Sequence, residues 1–292
     1  MLSAWAQKRA HPTAINTTMT LHFAIIGNPV AHSKSPQIHA AFAAQTGIAL
    51  SYERLLAPLN GFHETVEGLR AQGAHGANVT LPFKLEAFAF ATQVSDRARD
   101  AGAVNTLKFD TAKVFGDNTD GAGLVNDLCA NLHCAISGKR VLIVGAGGAA
   151  RGVIGPLLAE RPEVIAITNR TPSKAQEIAL RFKHAGSLRV LALADLPDHQ
   201  FDIIINASAA SLENSLPPVP RGAFADGSLA YDMMYGRGLT PFLALAQQSG
   251  ARLADGLGML VEQAAESFLI WHGVRPQTDA ILGQLRQSFP LN

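Results

Sequence analysis

The run Val141-Leu-Ile-Val-Gly-Ala-Gly-Gly-Ala-Ala-Arg-Gly152 constrains this chain more than any other stretch. Four apolar residues form a strand that ends in a glycine turn, and the small residues beyond it open a helix. Gly145 permits the tight turn, Gly147 lets the backbone approach a pyrophosphate, and Ala150 is small enough for the helix to press on the strand. With Ala146, Gly148 and Ala149 they make a cradle toward which the helix turns its unpaired N–H groups and positive dipole end. A second strand closes about 20 residues on, where an NAD enzyme sets Asp or Glu against the ribose 2′-hydroxyl. This chain has Asn169, Arg170 and Thr171 there. A guanidinium and a hydroxyl suit a 2′-phosphate, and a carboxylate would repel it, so the pattern reads as NADP rather than NAD. The glycines alone would equally fit a structural turn. The strand before them, the helix after them and Arg170 favour dinucleotide binding.

A chain of 292 residues can form two domains, each with its own core. A net charge of +1, 16% charged residues and no Lys/Arg run argue against a nucleic-acid partner. No apolar run reaches the roughly 18 residues of a membrane helix. Cys129 and Cys134 lie on an expected helix without a ligand pattern, and no His, Cys or acid spacing resembles a metal site. They read as reduced thiols in a cytoplasmic protein. Residues 1–19 carry Lys8 and Arg9 but no apolar segment, so they do not form a secretory signal. They read as a disordered tail, or as an over-extended start with Met19 the true one; a transit peptide is the weaker alternative.

The fold class expected is α/β with two domains. Strands at Leu21–Gly27, Ser51–Leu56 and Gly76–Leu81 alternate with helices from Ser35, from Phe62 and over Phe83–Ala101. Two short strands, Val104–Phe109 and Lys113–Gly116, follow. A helix at Ala122–Leu132 leads to a Rossmann-type series with strands Arg140–Val144, Val164–Thr168, Leu188–Leu191, Asp202–Asn206 and Leu229–Met233. Two final helices, Met259–His272 and Thr278–Gln287, are expected to fold back on the first domain. The division is therefore 20–120 plus 257–292 for one domain and 121–256 for the dinucleotide domain.

Four polar stretches fall at expected strand ends, where ligands sit in open α/β sheets. In Gly27-Asn-Pro-Val-Ala-His-Ser-Lys-Ser-Pro36, Ser33 and Ser35 offer hydroxyls beside a helix start, a carboxylate cradle; Ser35 reads equally as a helix N-cap. In Asn78-Val-Thr-Leu-Pro-Phe-Lys84, a lysine stands just inside a helix start, where the dipole disfavours it; a solvated surface lysine is the bland reading. Thr80 is a ligand hydroxyl or an ordinary strand residue. Asn105 in Gly102-Ala-Val-Asn-Thr106 is a ligand amide or a turn former. In Gly116-Asp-Asn-Thr-Asp-Gly121, Asp120 precedes a helix that it would alternatively cap, and Asp117 and Asn118 read as turn residues.

Taken in order, these stretches resemble the shikimate dehydrogenases. The likeness runs over roughly residues 20–290 and continues through Tyr231-Asp-Met-Met-Tyr235 and Ala254-Asp-Gly-Leu-Gly-Met-Leu-Val-Glu-Gln263. It implies a reversible NADP-dependent reduction of 3-dehydroshikimate to shikimate. By that analogy Lys84 and Asp120 are the catalytic pair, and Ser33, Ser35, Thr80, Asn105, Tyr235 and Gln263 hold the substrate. Gly145, Ala146, Gly147, Gly148, Ala149, Asn169, Arg170, Thr171 and Lys174 bind the cofactor, with Met233 and Gly258 near its nicotinamide. The chain departs from the pattern at Asn206-Ala-Ser-Ala-Ala-Ser211 and in residues 1–18.

Lys84 would give a proton to the carbonyl oxygen on reduction and take it back on oxidation, with Asp120 orienting it. Two other readings compete. One is a broader quinate/shikimate dehydrogenase, which Asn169 and Arg170 disfavour. The other is a non-catalytic ligand sensor, which the retention of Lys84 and Asp120 disfavours. A homodimer is a possible assembly.

Overall fold

The computed structural model describes residues 20–291 except 185, 209, 211–213 and 237. The tail expected at residues 1–19 and part of the divergent 206–211 segment lie outside the described residues.

The first sheet has six strands in the order β2-β1-β3-β5-β6-β4, with β1 at Leu21–Gly27, β2 at Leu50–Leu56, β3 at Gly76–Val79, β4 at Gln93–Val94, β5 at Thr106–Phe109 and β6 at Val114–Asp117. β1 pairs in parallel with β2 and β3, while β5 runs antiparallel to both β3 and β6. Its helices are α1 (Ser35–Thr46), α2 (Phe62–Ala71), α3 (Lys84–Phe90) and α4 (Asp96–Ala101). The single helix expected over Phe83–Ala101 is broken. Thr92 and Val94 are β-branched and pair toward β6 instead, Thr92 N–H bonding to the Val114 carbonyl at 2.9 Å. Ser95 then caps the new helix, its hydroxyl accepting from Ala98 N–H.

The second sheet is wholly parallel, in the order β12-β11-β10-β7-β8-β9. Its strands are β7 (Arg140–Val144), β8 (Val164–Thr168), β9 (Leu188–Val190), β10 (Phe201–Asn206), β11 (Phe224–Asp232) and β12 (Arg252–Asp255). The strand order reverses between β7 and β10, the switch point at which such sheets take ligands. β7 and β8 have the expected bounds, and β11 begins five residues earlier than expected. β12 and the helix α8 (Pro241–Gln248) were not anticipated, although Thr240-Pro241 is a helix-start pattern and the Thr240 hydroxyl accepts from Leu243 N–H.

Helix α5 (Asp120–Asn126), shorter than expected, passes into a π-helical turn over Asp127–Asn131 and joins the two sheets. Helices α6 (Gly148–Ala159) and α7 (Pro172–Arg181) cover the second sheet. The final helices α9 (Leu257–His272) and α10 (Asp279–Ser288) share a core with α1, in which Ile38, Phe42, Val261, Phe268, Ile281 and Leu285 are buried together. Trp271 Nε1 donates to the Leu107 carbonyl of β5, so α9 folds back on the first sheet as expected.

Glycines let α5 sit between its neighbours. A Cβ on Gly121 would lie 2.5 Å from the Gly152 carbonyl oxygen of α6. One on Gly123 would lie 2.8 Å from the Met259 carbonyl oxygen of α9. The helix that begins at Asp120 is thus wedged between the cofactor half and the helix that carries Gln263.

Candidate active site

Lys84 and Asp120 each stand at the first position of a helix, α3 and α5, after Phe83 and Thr119 at the N-cap positions. Lys84 Nζ donates to Asp120 Oδ2 at 2.5 Å, with the two side chains 19% and 8% exposed. The alternative of Asp120 as a helix cap does not hold, because Thr119 takes that place. The carboxylate instead gains from the positive end of α5 and from two donors.

Asn105 is the second donor. Its Nδ2 lies 2.8 Å from Asp120 Oδ1, while its Oδ1 accepts from Thr119 N–H at 2.9 Å. A backbone N–H can only donate, so it fixes the amide's orientation and leaves the NH₂ to face the carboxylate. Gln263, from α9, brings Oε1 to 3.4 Å from both Asn105 Nδ2 and the Thr119 hydroxyl, and its Nε2 donates to the Leu260 carbonyl. Lys84, Asp120, Asn105 and Gln263 therefore form one hydrogen-bonded group. Asp117 and Asn118, expected as plain turn residues, support it. Arg97 forks onto both Asp117 oxygens at 2.8 and 2.9 Å, and Asn118 Oδ1 accepts from the Asp120 N–H.

Ser33 and Ser35 lie in the loop after β1, their hydroxyls 3.1 Å apart. Lys34 occupies the N-cap of α1 and Ser35 its first turn, so the capping reading of Ser35 is corrected. Arg54 holds the loop through two bonds to the Ser33 carbonyl. Thr80 follows β3 directly and packs its methyl on Gly27. Tyr235 is half-buried against the α1–α9–α10 core, and burial raises its phenol pKa, so it is a donor at neutral pH. Neither Thr80 nor Tyr235 bonds directly to the Lys84–Asp120 group.

Among the cofactor residues, Gly145 has φ +113° and a Cβ there would lie 3.0 Å from the Ala207 backbone at the end of β10. The turn thus sits at the switch point. Gly147 is the N-cap of α6 and Gly148 its first residue, and a Cβ on either would meet no protein atom within 4 Å. Ala146 is buried against the sheet, Ala149 is half-buried, and Ala150 packs without exposed surface, as its size requires. Arg170, Thr171 and Lys174 are exposed at the end of β8 and the first turn of α7, with Asn169 Nδ2 pinning the Thr171 carbonyl. Two cations and no carboxylate at this strand end fit the extra phosphate of NADP.

Met233 follows β11, its N–H bonded to the Asn206 carbonyl beside the turn. Gly258 is different. It is buried, and a Cβ would overlap the Asp127 carboxylate, so close packing alone requires a glycine here. Gly152, on which Gly121 rests, is one helical turn from Gly148. The Lys84–Asp120 pair and the glycine turn are therefore linked through about 6 Å of α6. The sequence reading missed Tyr52, Thr106, Thr119 and Ser267, the polar residues packed behind Asn105. No local pattern marks them, because they converge from four elements.

A parallel sheet with a phosphate cradle at its switch point, beside a paired lysine and aspartate, defines a nicotinamide-dependent oxidoreductase acting on CH–OH groups. Three family descriptions match consecutive parts of the chain: the shikimate dehydrogenase substrate binding domain over residues 25–107, shikimate / quinate 5-dehydrogenase over 127–214, and the shikimate 5′-dehydrogenase C-terminal domain over 256–286. A shikimate dehydrogenase (NADP(+)) of Nitrosospira multiformis is 58% identical over 91% of this chain and 97% of its own length. An Ael1 enzyme from Pseudomonas putida superimposes with TM-score 0.88 at 44% identity, covering 94% of this chain and all of that one. The Thermus thermophilus shikimate 5-dehydrogenase, solved with NADP(H) and shikimate, gives 0.83 at 33% identity over 92% of this chain and all of its own. The chain belongs to the shikimate dehydrogenase family.

Proposed function

We propose that Lys84 is the general acid and base of this enzyme and Asp120 its orienting partner. The reaction is the reversible NADPH-dependent reduction of dehydroshikimate to shikimate, a step of aromatic amino-acid biosynthesis. NADPH supplies the hydride when bound. Lys84 Nζ holds the proton that the carbonyl oxygen needs as charge builds on it, and takes it back in the oxidative direction. Asp120 keeps the ammonium aimed, while Asn105 and Gln263 fix the carboxylate and present polar groups to the substrate's hydroxyls. Ser33 and Ser35 serve its carboxylate, with Thr80 and Tyr235 completing the contacts. The observation that carries this reading is the 2.5 Å contact between Lys84 and Asp120.

The substrate domain comprises residues 20–120 and 257–292, and the NADP domain 121–256; the core shared by α1, α9 and α10 supports the division. Among the described residues no helix is long and apolar enough to cross a membrane, and no three His, Cys, Asp or Glu cluster as metal ligands. The +1 net charge supports a protein without a nucleic-acid partner. The unbridged Cys129 and Cys134 suit a reducing cytoplasm, and sedimentation distinguishes a monomer from a homodimer. An assay following NADPH absorbance with shikimate or quinate, each with NADP or NAD, tests the whole reading. Turnover of shikimate with NADP should dominate; equal turnover of quinate with NAD would favour the broader quinate/shikimate enzyme.

A further inference from the structure

Behind Asn105 lies a largely buried row of polar side chains to which the proposed function gives no substrate contact. Tyr52 OH donates to Asn78 Oδ1 at 2.6 Å, and burial holds the phenol well above its ordinary range, so the proton stays on. Asn78 Nδ2 bonds to the Asn105 carbonyl, an acceptor only, which settles the amide's orientation and directs that NH₂ to Ser267 Oγ at 2.9 Å, with Thr106 Oγ1 its longer alternative at 3.1 Å. Thr106 Oγ1 lies 2.9 Å from Asn105 Oδ1, which has no proton to give, so the single Thr106 proton is committed there. The 2.8 Å contact between Ser267 and Thr106 then requires Ser267 to donate; the Gln263 carbonyl, at 3.0 Å, is its longer competing acceptor. Thr106 and Ser267 have no exposed surface.

We infer that Tyr52, Ser267 and Thr106 are positioning residues that form a one-way chain of donors running through Asn78 and Asn105 to Asp120. Along the chain each donated proton points toward the carboxylate that holds Lys84, while the second N–H of Asn78 goes to the Asn105 carbonyl and that of Asn105 to the Thr119 hydroxyl at 2.9 Å. Donors in series polarise one another, so each link strengthens the Asn105 bond to Asp120 beyond what that pair would have alone. The chain also ties β2, β3 and β5 to α9, which sets Gln263 and Asp120 in one frame. Ser267 lies four residues after Gln263, on the same face of that helix.

The inference rests on the acid–base reading of Lys84 and Asp120, and the test separates the two. Turnover and KM are measured for Thr106→Val, Ser267→Ala and Tyr52→Phe, each alone and combined with Asp120→Asn. Removing one buried hydrogen bond should lower kcat about five- to tenfold while KM for shikimate stays within about twofold. Thr106→Ser, which keeps the hydroxyl, should recover kcat to within about threefold of the parent. In the Asp120→Asn background the three substitutions should cost nothing further, because they act through that carboxylate. A fall in kcat of less than threefold would overturn the chain, as would an equal further loss in the Asp120→Asn background. If Asp120→Asn itself leaves kcat unchanged, the acid–base reading fails first and the chain with it.

Discussion

Lys84 and Asp120 start two different short helices and meet at 2.5 Å, one against its helix dipole and the other with it. A lysine at a helix N-terminus is unfavourable by a few tenths of a kcal/mol to about 1 kcal/mol. An aspartate at the equivalent place gains a similar amount, so the pair offsets locally what the lysine costs. α5 also packs on both α6 and α9, which seats Asp120 where the two halves meet.

Arg170 should set the cofactor preference. It is exposed at the end of β8 with Lys174 nearby and no acid at the position of an NAD enzyme's carboxylate. A charge-assisted hydrogen bond contributes about 1.5–3 kcal/mol, so Arg170→Ala should reduce the kcat/KM ratio of NADPH over NADH about tenfold to hundredfold. Parallel steady-state kinetics with the two cofactors check this, and an unchanged ratio would refute the assignment.

Gly121 should tolerate no side chain. The Cβ of alanine would press on the Gly152 carbonyl at 2.5 Å and on the Pro156 ring, and the two helix backbones cannot both stay in place. Gly121→Ala is expected to lose about 1–3 kcal/mol of stability in urea unfolding. Gly138, whose Cβ would meet nothing within 4 Å, is the contrasting surface position, although its φ of +68° makes Gly138→Asn the fair control.

His39 should make the fold acid-sensitive. It is fully buried, stacked at 4.3 Å on Tyr52, and its pKa is lowered to about 3, chiefly because burial penalises the charged ring. Above the unfolded value of about 6.5 the ring is neutral in both states. Between there and about 3 only the unfolded chain takes up the proton, so stability is lost as pH falls. One such proton changes the unfolding free energy by about 1.4 kcal/mol per pH unit. His39→Phe should flatten the pH dependence by about that slope below pH 6.5, measured by urea titration; an unaltered slope would contradict it.

Much of this was legible because period and punctuation agree. The strand before Gly145 and the one ending at Thr168 have no competing pattern, and both appear with the bounds read from sequence. The break at Thr92–Val94 was hidden because alanines and charges on either side fit a helix, and only pairing with β6 overrides that preference. At the site, Ser35 and Asp120 carried two local readings each, and Lys34 and Thr119, by taking the N-cap positions, removed the capping one. The packing need for Gly258 was hidden because Asp127, which leaves no room for a Cβ, lies more than a hundred residues away in the chain. Ser267 and Thr106 were illegible for the same cause: their partners are distant in sequence.

The most direct measurement is the kcat of Lys84→Ala with saturating shikimate and NADP, once its unfolding midpoint shows a folded protein. Loss of a general acid and base predicts a fall of at least about 10²-fold. A kcat within a few-fold of the parent would mean that the proton comes from elsewhere and that the Lys84–Asp120 contact is structural.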